Sequence, residues 1–173
     1  MRASRTGSGT RSWCTERYGR PTREMNIRAP RRDEHDALLR IWERSVRATH
    51  HFLGDDDIVA LRPLVADELG SGETEWWVLA SGADTPIGFL GLAGHAIEAL
   101  FIDPEHRRRG GGAHLVAHAQ KLRAGALSVD VNEQNEAARS FYEALGFRLI
   151  GRSPTDSGGR PFPLLHLQRP VPR

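Results

Sequence analysis

The chain of 173 residues contains one cysteine, Cys14, and one lysine, Lys121. A single cysteine forms no intramolecular disulfide, and its position near the N-terminus leaves the body of the chain without a thiol nucleophile. Long apolar runs are also missing. The longest fall far short of the ~20 residues of a membrane span, and no segment has the apolar centre of a signal peptide, so a soluble, cytoplasmic protein with no membrane partner is expected. His95, His106, His114, His118 and His166 make no recognisable ligand set; His114 and His118 share a helix face, but no acid joins them at metalloprotease spacing, and no metal is expected. The Gly-Lys-Ser/Thr ending of a P-loop and the G-x-G-x-x-G dinucleotide fingerprint are absent as well, which disfavours nucleoside triphosphates and NAD.

A formal net charge of +2 invites a nucleic-acid reading until the charges are located. Residues 1 to 24 hold six arginines against Glu16 and Glu24, so the remainder of the chain carries −2. The basic character belongs to this Arg-, Ser-, Thr- and Gly-rich segment, whose few apolar residues predict disorder. Met25 opens the first patterned stretch, and the segment reads as an extension upstream of the natural start. A mitochondrial transit peptide is the alternative, although Gly7, Gly9 and Pro21 oppose an amphipathic helix there.

What is present is a basic, glycine-rich loop in an ordered setting. Asp103-Pro104-Glu105-His106-Arg107-Arg108-Arg109-Gly110-Gly111-Gly112-Ala113 lies between the strand-like Ala99-Leu100-Phe101-Ile102 and a run in which Leu115, Val116, Ala119 and Leu122 recur at helical spacing. Glycines at a helix start let several backbone N–H groups approach one anion, where the helix dipole adds attraction, so a pyrophosphate is the expected guest. Disordered Arg-Gly tracts that bind RNA come as repeats in low-complexity surroundings, unlike this single loop.

The rest reads as one domain over residues 25 to 173. A short strand at Asn26 to Arg28 precedes a helix capped by Asp33, with Leu38, Ile41, Trp42 and Val46 on one face. Asp55, Asp56 and Asp57 cap a second helix, kinked at Pro63. Strands follow at 76–80, 87–93 and 95–103, then the loop and its helix, a strand at 127–131, a helix at 135–145 stopped by Gly146, and two closing strands. Antiparallel strands followed by a strand–helix–strand–helix–strand unit predict a mixed α/β sheet.

Two blocks carry a family resemblance. Arg107-x-x-Gly110-x-Gly112 matches the pyrophosphate signature of the GNAT superfamily of acetyl-CoA-dependent N-acetyltransferases. The stretch from Asn135 through Ala138, Phe141 and Tyr142 to Gly146-Phe147 resembles that family's Asn-x-x-Ala-x-x-Phe/Leu-Tyr-x-x-x-Gly-Phe helix. Further detail at Arg44-Ser45-Val46-x-Ala48-Thr49-His50-x-Phe52-Leu53, Val131 to Asn135 and Pro163-Leu164-Leu165 is similar to the bacterial YjaB-type subgroup. The resemblance implies the GNAT fold, a central, mostly antiparallel sheet with two splayed parallel strands and flanking helices, and acetyl-CoA as co-substrate. Its pyrophosphate would lie on Arg107, Arg108, Arg109, Gly110, Gly111, Gly112 and Ala113, and its pantetheine arm along the backbone of Leu100, Phe101 and Ile102.

The same resemblance implies Tyr142 as the general acid that protonates the departing thiolate, although Tyr142 also falls on an apolar helical stripe with Ala138, Phe141 and Leu145. Asn135 would bind the coenzyme, cap its helix, or do both. A lysine-like amine, with a pKa of about 10.4, is almost wholly protonated at neutral pH, so a base or a water relay is needed. Asp130 and Glu98 are the candidate bases, and either can equally be a solvated sheet residue. Thr49, His50, Phe52 and Trp77 are candidates for the acceptor pocket, where a histidine can relay a proton. The acceptor is a small-molecule amine or a protein or peptide amine. A non-catalytic acyl-CoA-binding module of the same fold and a nucleic-acid binder using the basic segment are the rival readings, and monomer and homodimer both remain open.

Overall fold

A computed structural model describes residues 25–171. The expected disordered segment 1 to 24, with Cys14, lies outside them. Seven strands form one sheet in the order β1-β2-β3-β4-β5-β7-β6. They are β1 (Asn26–Arg28), β2 (Glu75–Ala80), β3 (Pro86–Ala93), β4 (Ala96–Ile102), β5 (Leu127–Asn132), β6 (Arg148–Ser153) and β7 (Leu164–Arg169). All neighbours run antiparallel except β4 and β5, as the crossover helix between those two requires.

Alternation along the strands sorts the core into two layers. On one face, Val78, Ala80 and Phe89 pack against helix α1 (His35–Thr49) and against Ile58 of helix α2 (Asp55–Ser71). On the other, Leu79, Leu90 and Leu92 meet Ala113, Leu115, Val116 and Ala119 of helix α3 (Gly111–Leu122), with Tyr142 of helix α4 (Glu136–Ala144) and Phe147 beside them. Trp76 and Trp77 accordingly fall on opposite faces, one edge-on to Phe89 and the other to His118.

Helix starts differ from the sequence expectation. Helix α1 begins after Glu34 rather than Asp33, and Glu34 does not cap it: its carboxylate accepts from Arg28 at 2.6 and 2.8 Å and from the Arg31 backbone at 2.8 Å. These bonds tie β1 to the helix start and hold the Glu34 carboxyl below the usual carboxylate range. In α2 the N-cap is Gly54, whose N–H donates to Asp57 at 2.9 Å, while Asp55 and Asp56 only add first-turn charge. Helix α2 continues through Pro63. The carbonyl that Pro63 leaves without a donor is that of Val59, and both residues are exposed, so water can satisfy it. Gly146, with φ of +90°, ends α4 as expected.

Candidate active site

The site opens where two strands part. β4 and β5 pair only through Ala96 with Ser128 and Ile97 with Val129. Beyond that point β4 continues along β3 and β5 along β7, so the β4 edge from Glu98 to Ile102 has no strand on its β5 side. Its backbone groups there are available to a ligand. A cavity of about 520 Å³ lies against this edge, walled by Leu100, Phe101 and Ile102, by the loop and first turn of α3, by Asn135 to Tyr142 of α4, and by Ser45, Thr49 and His50 at the end of α1.

At one end the cavity wall is backbone. Arg108 and Gly110 both have left-handed φ, at 59° and 81°, and helix α3 starts immediately afterwards. Alternating handedness turns successive N–H groups to one side, and the first N–H groups of α3, on Gly111, Gly112 and Ala113, precede any intrahelical acceptor. A side chain on Gly111 would put its Cβ 2.6 Å from Leu79, and one on Gly112 3.1 Å from the Phe141 ring. The glycines therefore serve the turn and the close packing of helix against sheet and helix. Arg107 and Arg108 line the cavity. The neighbouring acids are engaged elsewhere, since Arg44 of α1 pairs with Asp103 at 3.3 Å and Glu105 at 2.9 Å. Among the described residues, no ion pair neutralises Arg107, Arg108 or Arg109, so the loop fits a polyanion.

At the other end the wall is made of side chains. The Thr49 hydroxyl donates to the Ser45 carbonyl at 2.7 Å and lies 2.8 Å from His50 Nδ1. His50 Nε2 faces the Asn135 amide nitrogen at 3.4 Å, while the Asn135 carbonyl oxygen caps α4 by accepting from Ala138 N–H at 3.1 Å. Burial, then the neighbouring His51, depresses His50 to about 4, so the imidazole is neutral at pH 7. Tyr142 is buried between the rings of Phe141 and Phe147, at 5.0 and 5.2 Å, and burial raises its phenol well above the usual tyrosine value. The hydroxyl therefore keeps its proton.

Most of the residues singled out in the sequence converge on this cavity. Thr49, His50, Leu100, Phe101, Ile102, Arg107, Arg108, the glycines 110 to 112, Ala113, Asn135 and Tyr142 all line it. Phe52 stands behind His50, with ring centres 5.4 Å apart. Others lie elsewhere. Arg109 is not among the residues that line the cavity, and Trp77 packs 4.4 Å from His118 with its indole N–H donating to Glu75 at 2.8 Å. Asp130 is exposed and 2.6 Å from His166 Nδ1. Glu98 is likewise surface-exposed, although partial desolvation, then the charges of Asp130 and Glu68, push its carboxyl up. Neither carboxylate lines the cavity. Phe162, in the β6–β7 connection, was not singled out. It lies 5.9 Å from Phe52, under the Arg160 guanidinium at 5.6 Å. Ser45 and His106 were also missed as wall residues. Only the position of Ser45 one turn before Thr49 hinted at the contact.

Residues 72–149 match the family model described as an acetyltransferase (GNAT) domain. The chain is 46% identical over 146 residues to the peptidyl-lysine N-acetyltransferase YjaB of Salmonella typhimurium, a match covering 84% of this chain and 99% of that protein. The solution structure of apo YjaB from Escherichia coli superposes with a TM-score of 0.77 at 44% identity, covering 83% of this chain and 96% of that one. A PaiA N-acetyltransferase from Thermoplasma acidophilum, solved in complex with coenzyme A, shares the fold with a TM-score of 0.69 at 17% identity, over 85% of this chain and 99% of that one. With a parted parallel strand pair, a glycine loop at a helix start, and this degree of likeness over nearly the whole length of a relative, the chain belongs to the GNAT family of N-acetyltransferases.

Proposed function

We propose that this enzyme moves the acetyl group of acetyl-CoA onto the side-chain amine of a lysine in a protein or peptide, by direct attack within a ternary complex. The single observation that carries the reading is the cavity itself, which joins an anion-binding backbone loop to a neutral, partly aromatic end through the open edge of β4. The loop amides from Arg107 to Ala113, with Arg107 and Arg108, hold the pyrophosphate. The edge of Leu100, Phe101 and Ile102 hydrogen-bonds the pantetheine arm as a missing strand would. Lysine as acceptor is supported by the YjaB relative, a peptidyl-lysine N-acetyltransferase.

The amine nitrogen attacks the thioester carbon, the C–S bond breaks, and Tyr142 supplies the proton that the thiolate takes. Burial keeps the phenol protonated at neutral pH, so the proton is present when the thiolate forms. No covalent acetyl-enzyme is invoked, because no cysteine occurs among the described residues. A non-catalytic acyl-CoA-binding module would not need Tyr142 and the His50 to Asn135 contact in the wall of the same cavity. An acceptor screen tests the proposal: with acetyl-CoA present, coenzyme A release followed by a thiol reagent should be fastest with lysine-containing peptides. Release only with small polyamines or amino sugars would replace the acceptor, and release with none would favour the binding module.

A further inference from the structure

Resting on that transferase reading, the hydrogen bonds around His50 fix which of its nitrogens carries the proton. The Thr49 hydroxyl gives its one hydrogen to the Ser45 carbonyl, so toward His50 Nδ1 its oxygen is an acceptor and Nδ1 is the donor. Nε2 then bears the lone pair. Asn135 agrees independently: its Oδ1 is occupied by Ala138 N–H, which turns Nδ2 toward His50 Nε2 as a donor. That contact is 3.4 Å, longer than an ordinary N–H···N bond, so the lone pair is weakly engaged and can be taken over by an incoming group. Residues of α1 and the start of α4, 85 positions apart in the chain, thus hold one neutral tautomer in the cavity wall.

We propose that His50 Nε2 accepts the proton of the attacking amine. On bonding to the thioester carbon the amine nitrogen gains positive charge and becomes far more acidic than the free ammonium. Its proton passes to Nε2 while the C–S electron pair leaves with sulfur, which takes the Tyr142 proton; the imidazolium then gives its proton to water and the tyrosinate regains one from water. The other titratable groups of the wall are less suited. The guanidinium groups of Arg107 and Arg108 offer donors and no acceptor, Tyr142 holds its own proton, and His106 sits at the loop end, 3.7 Å from Asp103. Burial, and after it the adjacent His51, disfavours any lasting charge on His50 and so favours prompt release.

The test compares the parent enzyme with His50→Ala and His50→Gln, using acetyl-CoA and a lysine peptide. Both variants should bind acetyl-CoA as the parent does in calorimetry while kcat falls by ~10²-fold, the usual worth of a positioned base. Imidazole added to the buffer should restore part of the His50→Ala turnover and leave the parent unchanged. Thr49→Val, which deprives Nδ1 of its acceptor, should lose less. A kcat near the parent value in a folded His50 variant overturns the proposal, as does a loss confined to KM or one that imidazole does not relieve. If His50→Ala does not fold, the kcat of His50→Gln decides alone. An active parent with unimpaired variants sinks this proposal only, whereas a parent inactive toward every amine sinks the transferase reading with it.

Discussion

The two ends of the cavity are built from different material. At the loop end the contacts come from consecutive backbone amides, shaped by left-handed φ at Arg108 and Gly110 and by close packing of Gly111 and Gly112. At the His50 end they come from side chains on α1, on α4 and, behind them, on the β6–β7 connection. Backbone is the same in every residue, so in the proposed function the loop end would recognise one invariant ligand and constrain only where side chains must be absent. The His50 end has its chemistry written in side chains, so under the same proposal it could be refitted to a new acceptor without disturbing the coenzyme.

Substitutions that press on each end separately should expose this division. The largest loss is expected from Gly110→Asp or Gly112→Asp, which place a carboxylate against the pyrophosphate; Gly112→Asp also crowds Phe141. Like-charge juxtaposition costs several kcal/mol, so acetyl-CoA affinity in calorimetry should fall by more than ~100-fold. Undiminished affinity in both folded variants would remove the pyrophosphate from this loop. Tyr142→Phe keeps the aromatic packing and should leave stability and acetyl-CoA affinity nearly unchanged, while kcat drops by ~10²-fold. Turnover equal to the parent would make Tyr142 a packing residue.

Stability against pH probes the His50 end without substrate. The folded pKa of about 4 lies below the ordinary 6.5, so the unfolded chain takes the proton first. The contribution of His50 is therefore complete above pH 6.5 and is lost as the pH falls toward 4, by about 3 kcal/mol in all. Urea midpoints across that window should decline less steeply for His50→Gln than for the parent. A parallel decline in both would show that His50 titrates normally. Phe162→Ala should be milder, raising KM for a lysine peptide several-fold through lost contact area while acetyl-CoA affinity holds. A change in coenzyme affinity instead would erase the boundary between the two ends. Smallest of all, removing residues 1 to 24 should alter neither, because every described wall residue lies between Ser45 and Tyr142.

The same division explains what could be read from the sequence. Glycines at a helix start leave a local signature, and so does the Asn135 to Phe147 helix, because each is one contiguous run whose residue types are forced by backbone geometry. The strand alternation around Val129, Asp130 and Val131 was legible for the same reason. Asp130 faces away from its buried neighbours, but the alternation does not reveal that this side of β5 meets His166 and not the cavity. Trp77 fails similarly: its strand position gave its face, and the face turned out to be that of α3. Phe162 carries no local mark, since its proximity to Phe52 depends on β7 lying between β5 and β6 and bringing the β6–β7 connection across. The cap expected at Asp33 does not form; the helix starts after Glu34, whose carboxylate pairs with Arg28, a partner that only the fold supplies.

The most direct test is the initial rate of coenzyme A release with acetyl-CoA and a lysine peptide varied together. If both bind in one cavity and the amine attacks the thioester itself, the double-reciprocal lines intersect and acetyl appears on the lysine side chain. Parallel lines, which signal an acetylated enzyme, or coenzyme A release without peptide acetylation, would contradict direct transfer.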